Sequence, residues 1–403
     1  MNRVVITGAG TVNALAANVP DTMMAFREGR CGISPLSLPD QDRLTAKIAG
    51  QIHNWVPQSH FDQRQIVGLD RFAQFALVSA RQAVAQAGLQ FDGEAGEETG
   101  VILGTAGGGL TTSDESFRAV YADGKNRVHP LVVPKLMHNA AASHIAMEFN
   151  LRGPNFTLAT ACASSNHAMG LAFQTIRGGG AKAILTGGSD AMLCFGGLKA
   201  WEGLRVMSND ACRPFSRNRD GMVMGEGAAV FVFEDYAQAK RRGADILAEV
   251  IGFSMSSDAS DLVVPSVDGA ARAIAGALRD ARLNTDDVAY INAHGTGTAA
   301  NDKTECAAIA QVFGDHARLL MVSATKSMHG HVMGGTGAIE LLACIMALRD
   351  GVIAPTIGHQ IADPNCALDV VPNFARDADV TVCLSNAFAF GGLNAVLALR
   401  RAS

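Results

Sequence analysis

The sequence predicts an α/β protein with buried sheets, on three observations. Short β-type apolar runs alternate with helix-patterned segments along the whole chain. Apolar residues make up 48% of the 403 positions and charged residues only 18%, which describes a globular chain with a large interior. Glycine occurs 43 times, well above the usual ~7%, which implies many tight turns and close backbone contacts.

Taken in order, the β-type runs are Val4–Thr7, Val101–Leu103, Phe156–Leu158, Ala183–Thr186, Ala228–Glu234, Val288–Ile291, Leu319–Ser323, Thr381–Leu384 and Asn394–Leu399. Helical patterns occupy 69–88, 269–282 and 337–349. After Phe156–Leu158 the chain passes through small residues to Cys162. An amphipathic run of Met169, Leu171, Ala172, Phe173 and Ile176 then begins. This reads as strand, sharp turn and helix, with the thiol at the helix start. An internal echo runs through the chain. Phe156–Thr160 leads to a helix ending at Arg177-Gly178, and Met321–Thr325 to one ending at Arg349-Asp350-Gly351. Gly225–Phe233 likewise matches Gly391–Leu399. The length exceeds one ordinary core. Two copies of one α/β unit are expected, over 1–242 and 243–403.

Net charge is −5 and the pI about 6.1. That balance points away from nucleic acid and from a polybasic membrane contact. The longest stretch without Asp, Glu, Lys or Arg is 153–176, and it holds Pro154, Asn155, Asn166 and His167. It is therefore not a lipid span, and no transmembrane segment is expected. A strand at Val4–Thr7 predicts that no signal peptide precedes the fold. None of the eight cysteines is spaced C-x-x-C. Reduced thiols in a cytoplasmic setting are expected.

Four segments carry candidate chemistry. At the helix start after Cys162, the first N–H groups have no intrahelical partner and the helix dipole is positive. Both favour a thiolate, so Cys162 is expected to be a nucleophile near neutral pH. His294 lies in Asn292-Ala-His-Gly-Thr296-Gly-Thr298, just after a strand. Lys326 and His331 lie in Thr325-Lys-Ser-Met-His-Gly-His331, with Glu340 beyond. The fourth segment is Ser385-Asn386-Ala-Phe388-Ala-Phe390-Gly-Gly392. Singly, each has a plainer reading as core residue or solvated charge. Together they describe a thiolate that carries an acyl group, with neutral imidazole donors for a carbonyl oxygen gaining charge.

The order TACASS, NAHGTGT, TKSMHGH, NAFAFGG resembles the β-ketoacyl-[acyl carrier protein] synthases, the elongating condensing enzymes of fatty-acid and polyketide synthesis. The resemblance runs from Arg3 to the C-terminus. It includes Cys212-Arg-Pro-Phe215, Gly225-Glu-Gly227 and Pro372-Asn373. The wording of Gly188–Ala191, Leu198–Glu202 and Val312–Arg318 is most similar to the nodulation protein E branch. The resemblance implies a thiolase-like fold, a duplicated α/β unit in five layers (αβαβα), in a homodimer. It implies that Cys162 takes an acyl chain from an acyl carrier protein. Malonyl-carrier then loses CO₂ while His294 and His331 hold the enolate oxygen. Attack on the Cys162 thioester extends the chain by two carbons. The oxyanion hole would be the backbone N–H groups of Cys162 and Phe390. Lys326 would lie near the histidines and pair with Glu340, with Phe388 in support. Thr296 and Thr298 match contacts to the phosphopantetheine arm. Asn292, Glu340, Ser385 and Asn386 match a monovalent-cation site (sodium or potassium) of some members. No organic cofactor or catalytic metal is implied.

Gly107 stands where many long-chain relatives carry a branched residue, and Val132 where a larger side chain reaches in from the partner subunit. This predicts an opened tunnel floor unless Met192, Phe195 or Met137 fills the space. Val67 and Gly68 replace two basic residues of relatives, leaving Arg64, Arg71, Lys125, Arg127 and Arg205 as candidates for docking an acidic carrier.

Four other readings compete. Val4–Asn13 looks like a dinucleotide fingerprint, but Asn13 stands at its third glycine. His329-Gly-His331 hints at a metal hydrolase, without a third ligand at standard spacing. A non-elongating chain-length partner would lack the nucleophile. A thiolase-type acyltransferase would want a second catalytic cysteine near Gly391-Gly392, where this chain has Phe390.

Overall fold

The computed structural model describes residues 1–402. Ten strands form one sheet: β1 (Val4–Asn13), β2 (Thr99–Gly104), β3 (Asn155–Leu158), β4 (Ala183–Asp190), β5 (Gly227–Asp235), β6 (Ala248–Ser257), β7 (Tyr290–Asn292), β8 (Met321–Ser323), β9 (Val382–Ala389) and β10 (Leu393–Arg400). Their spatial order is β8-β7-β9-β10-β6-β1-β5-β4-β2-β3. Read inward from either edge, each half has the order third, second, fourth, fifth, first. In both, the second strand runs parallel to the third and fourth, and the fifth antiparallel to the fourth and first. The internal echo is therefore a structural duplication. The halves join where Val4–Ile6 of β1 pair with Ala248–Val250 of β6.

Five helices complete the layers: α1 (Arg71–Ala87), α2 (Ser164–Arg177), α3 (Val267–Ala281), α4 (Ala299–Phe313) and α5 (Thr336–Asp350). The central layer is α2 and α5. On α5, every residue from Thr336 to Leu348 is buried, as a helix apolar on all sides demands. Phe173 and Ile176 of α2 share one core with Ile339 and Leu342 of α5, with Ile6 and Phe231 from one half-sheet and with Leu397 from the other. Outside, α1 covers the first half through Phe72 and Phe75, and α3 and α4 cover the second through Ile274 and Ile309. The result is helix, sheet, helix, sheet, helix.

Every predicted β-run lies on or overlaps a strand. Of these ten strands one goes unread in the sequence: β6, whose Gly252, Ser254, Ser256 and Ser257 give it the composition of a loop. The apparent dinucleotide fingerprint is the continuous strand β1. A Cβ on Gly8 would meet the Ala83 carbonyl oxygen at 2.0 Å, and one on Gly10 that of Ser79 at 2.0 Å. These glycines let α1 lie against the strand, and they leave no phosphate cradle. Among the described residues no helix is long and apolar enough to cross a membrane.

Candidate active site

The candidate residues gather where strands end. Cys162 follows β3, in a 3₁₀ turn (Ala161–Ala163) that runs into α2. Ala161 is held at φ 47°, a conformation that costs a non-glycine residue energy and persists only when its surroundings fix it. Here Ser164 Oγ donates to the Ala161 carbonyl at 2.7 Å and accepts the Thr160 N–H at 2.9 Å.

Cys162 is 8% exposed. Burial pushes its thiol up to about 11, against the pull of the Lys326 charge and of the backbone N–H groups of Cys162 and Phe390. The helix-start argument expected the opposite. The amides do act on the sulfur, but removal from water disfavours the charged form more than they favour it. Burial thus favours the neutral thiol at Cys162. The amides of Cys162 and Phe390 flank it, where a thioester oxygen would sit during attack.

Single ligand atoms of Cys162, His294 and His331 lie within 4.8 Å of one another. The two imidazoles meet edge to face, with centroids 5.5 Å apart at 82°. Both are held neutral, their pKa values pushed well down by burial and then by the Lys326 charge. The tautomer of His331 follows from its partners. Met333 N–H donates to Nδ1 at 3.1 Å, and Thr336 Oγ1 lies 2.9 Å from the same nitrogen. A backbone N–H can only donate, so Nδ1 carries the lone pair and Nε2 the proton. Nε2 is buried, with no protein partner, and His331 lines the cavity. It is a donor aimed into the site. A metal would need that nitrogen's lone pair, and both nitrogens of His329 are engaged, by the Gly330 carbonyl and Thr325 Oγ1. The histidine pair is thus built to donate to oxygen.

His294 is set by what holds its backbone. Glu305 on α4 accepts the N–H of His294 and of Gly295, each at 2.8 Å. Lys326 Nζ donates to the His294 carbonyl and, at 2.7 Å, to Glu340. Lys326 is fully buried. Burial pushes the Glu340 carboxyl up to about 7 against the attraction of Lys326. Phe388 packs on the His294 ring, with centroids 6.1 Å apart.

The residues that the resemblance names for a monovalent cation carry oxygens whose chemistry fits such an ion. Asn292 Oδ1, Asn386 Oδ1 and Glu340 Oε2 are buried without a partner, as is Asn166 Oδ1. Asn166 Nδ2 donates to the Ser385 carbonyl at 3.2 Å, which ties α2 to the same place. Unpaired buried oxygens are costly, and an all-oxygen donor set suits a hard cation.

A cavity of about 310 Å³ opens at Cys162. Thr296, Thr298, Phe388, Phe390, Trp201 and Arg205 line it together with both histidines. Gly107 and Val132 do not. Met192 occupies the space beside Gly107, the first of the fillings considered above. Of the docking candidates, Arg64, Lys125, Arg127 and Arg205 are exposed. Arg71 is not available for docking: its guanidinium grips Glu226 through two bonds of 2.7 Å and also donates to the Ile52 carbonyl.

Sequence reasoning missed several residues of the site. Glu305 and Asp302 had a signal, as acids one turn apart that are buried on α4. Asp190 had none. Its buried carboxylate accepts from Thr105 Oγ1 and from the N–H groups of Ala106, Gly107 and Gly334 at 2.7–2.9 Å. Trp201, stacked on Phe390 at 5.9 Å, was also passed over.

Comparison with known proteins agrees along the whole chain. The family described as Beta-ketoacyl synthase, N-terminal domain, matches residues 1–239, and the corresponding C-terminal domain matches 247–360. Nodulation protein E of Rhizobium sp. (strain N33) is 47% identical over 399 residues, covering 99% of both chains. The 3-oxoacyl-[acyl-carrier-protein] synthase 2 of Staphylococcus aureus (strain N315) is 38% identical over 99% of this chain and 98% of its own. Among solved structures, the ishigamide ketosynthase/chain length factor superposes with a TM-score of 0.95 at 35% identity, covering both chains fully.

Proposed function

The chain belongs to the β-ketoacyl synthase family of condensing enzymes, and from that premise we propose how its residues divide the reaction. Cys162 receives the acyl group from a carrier-bound thioester. As its sulfur attacks, the thiol proton passes to His294, because Nδ1 of His331 is already taken by Met333. The same proton then leaves on the departing carrier thiol. Malonyl-carrier enters, and loss of CO₂ puts charge on its thioester oxygen. His331 Nε2–H and His294 donate to that oxygen. The carbanion attacks the Cys162 thioester, and the new oxyanion sits between the amides of Cys162 and Phe390. Collapse releases the β-ketoacyl thioester, two carbons longer, and the Cys162 thiolate takes a proton from solvent. The observation that carries this reading is the close set of one thiol and two neutral imidazoles, one of fixed tautomer.

Thr296 and Thr298 line the cavity at Cys162, and in this reading they would contact the pantetheine arm. A sodium or potassium ion held by Asn292, Glu340, Ser385 and Asn386 would brace β9, which carries Phe388 and leads into Phe390. Arg64, Lys125, Arg127 and Arg205 offer an acidic acyl carrier protein its basic contacts. With Val67 and Gly68 neutral, binding to a general carrier is expected to be weak. A homodimer is supported by the edge strand β3, whose Phe156 is 39% exposed, and by exposed Phe117, Tyr121 and Val133 nearby in sequence. A partner copy would supply Val132. Eight free cysteines favour a cytoplasmic setting.

The test is Cys162→Ala. It should abolish condensation and leave malonyl-carrier decarboxylation measurable, because both histidines remain. His331→Ala should lose both. Chain elongation by the Cys162→Ala protein would sink the assignment.

A further inference from the structure

We propose that Cys306 and Cys366 are a redox pair: a hydroperoxide joins them as a disulfide, which turns down the reaction by drawing on the helix that positions His294. The chemistry of the pair stands apart from the active-site reading; its effect on the reaction rests on that reading. Cys306 lies on α4, and Cys366 ends a short 3₁₀ turn (Pro364–Cys366). Arg219 clamps this turn to the helix. It donates to Asp363 at 2.5 Å and to the Thr298 and Ala299 carbonyls at 3.1 and 3.2 Å, and it lies 3.7 Å from Asp302. Asp302 and Cys306 are four residues apart on α4, so they share the face turned to Arg219. Asp363 and Cys366 are three apart, one turn of a 3₁₀ helix, and the Cys366 thiol points back to Asp363 Oδ2 at 3.9 Å. The two cysteines therefore meet beside the clamp. Both are buried in one apolar cluster, and the Cys306 S–H donates to the Cys366 sulfur.

Access sets the order of events. A cavity of about 400 Å³ opens on Cys366, with Asp363 and Asp369 in its wall, and Cys306 takes no part in that wall. The bond to Cys366, with burial, pushes the Cys306 thiol up and keeps it protonated. Cys366 is therefore the thiol that meets the oxidant. Its sulfur attacks the hydroperoxide: an S–O bond forms, the O–O bond breaks, and the alcohol (water, from hydrogen peroxide) leaves with the thiol proton. The Cys306 sulfur then displaces the oxygen of the Cys366 sulfenic acid. The S–S bond forms, the S–O bond breaks, and the Cys306 proton leaves with that oxygen as water. Two thiols and one hydroperoxide thus give a disulfide, an alcohol and a water, and a thiol reductant restores the pair. The new bond draws the sulfurs together to about 2.05 Å. Glu305, the neighbour of Cys306, holds the N–H groups of His294 and Gly295 at 2.8 Å. A pull on α4 at Cys306 therefore shifts the backbone that sets His294 beside His331.

The experiment treats the reduced protein with hydrogen peroxide, at a dose that oxidises the exposed Cys31. Peptide mass spectrometry without reduction should find Cys306 and Cys366 linked in the wild-type protein. Activity is read in Cys162→Ala, which has no acylation thiol to oxidise. Its malonyl-carrier decarboxylation should fall at least about tenfold, as a misplaced catalytic group predicts, and return with dithiothreitol. Cys306→Ala and Cys366→Ala, each combined with Cys162→Ala, should keep decarboxylation at the same dose. Either one suffices if the other fails to fold. Oxidised Cys31 beside unlinked Cys306 and Cys366 would overturn the pair. A complete disulfide with unchanged decarboxylation, or an equal loss in both combined variants, would overturn the switch. If reduced Cys162→Ala decarboxylates nothing, the active-site reading fails and the switch with it, while the mass of the linked peptides still decides the pair.

Discussion

Two physical arguments about Cys162 point in opposite directions, and the pH dependence of its alkylation separates them. The helix start offers amide N–H groups and a positive dipole, which lower a thiol pKa. Burial raises it, and here burial wins, moving the thiol from 9.0 to about 11. At pH 7 the thiolate is then roughly one part in ten thousand, about a hundredfold less than for an ordinary thiol. The sign is plain. The raised pKa keeps the group neutral through physiological pH, so the reactive form grows only as pH rises. The rate of Cys162 carbamidomethylation, read by peptide mass spectrometry, should climb about tenfold per pH unit from about pH 6 to 9. Restricted access to a buried sulfur scales every point equally and leaves that slope intact. A rate that levels off between about pH 6 and 8 would mean a thiolate already formed, and would refute the ordering of burial over helix start. It would also remove the need for His294 as proton acceptor.

Other consequences follow from the same geometry. Lys326→Ala strands Glu340 in the interior and frees the His294 carbonyl, so stability should fall by about 3–5 kcal/mol in urea titration. The Lys326→Met/Glu340→Leu pair should recover much of that stability while condensation stays low; equal stability of wild type and Lys326→Ala would count against a buried ion pair. Potassium or sodium chloride should raise the melting temperature above that in choline chloride of equal ionic strength, by about 2.7 kcal/mol of stabilisation at a hundredfold excess over Kd. Asn386→Leu should erase the difference, and identical melting in all three salts in wild type would remove the cation. In Gly104→Ala the new Cβ would stand 2.3 Å from the Ser164 carbonyl carbon, so the turn bearing Cys162 must retreat. Overpacking of this kind costs about 1–3 kcal/mol, and acyl loading should drop on the order of a hundredfold from misplacement of the sulfur. Unaltered loading would show that β2 does not set the nucleophile's position.

What was legible in the sequence depended on how local the signal was. The strand, turn and helix around Cys162 could be read because Phe156–Leu158 and the Met169–Ile176 spacing lie within one short window. The duplication could be read because strand and glycine landmarks recur in order. Strand β6 could not, since its serines and glycine are accommodated by its neighbours β1 and β10 on either side. Asp190 was invisible for a related reason. Its donors come from residues 105–107 and 334, and only the fold brings them to one carboxylate. The protonation state of Cys162 was misjudged because a helix start is a sequence feature, whereas burial is a property of the whole molecule. Arg71 was misjudged in the same way. Its partner Glu226 lies 155 positions away.

The duplication also explains why the site lies where it does. In each half the second, third and fourth strands are parallel. Ligand sites of such sheets form beyond the carboxyl ends of the strands. The third strand of the first half leads to Cys162, and its counterpart leads to Lys326 and His331. The second strand of the first half leads to the Gly107 loop, and its counterpart to His294. The fourth leads to Asp190 and Met192, and its counterpart to Phe388 and Phe390. Because α2 and α5 pack between the two half-sheets, these matching ends gather around one site, where Cys162, His294, His331, Phe388 and Phe390 line the cavity. The scaffold is the same on both sides, while the loops have divided the work. In the proposed reaction those of the second half hold the two imidazoles that stabilise charge, and those of the first half hold the thiol. Loss of decarboxylation should therefore arise from second-half loops around His294 and His331.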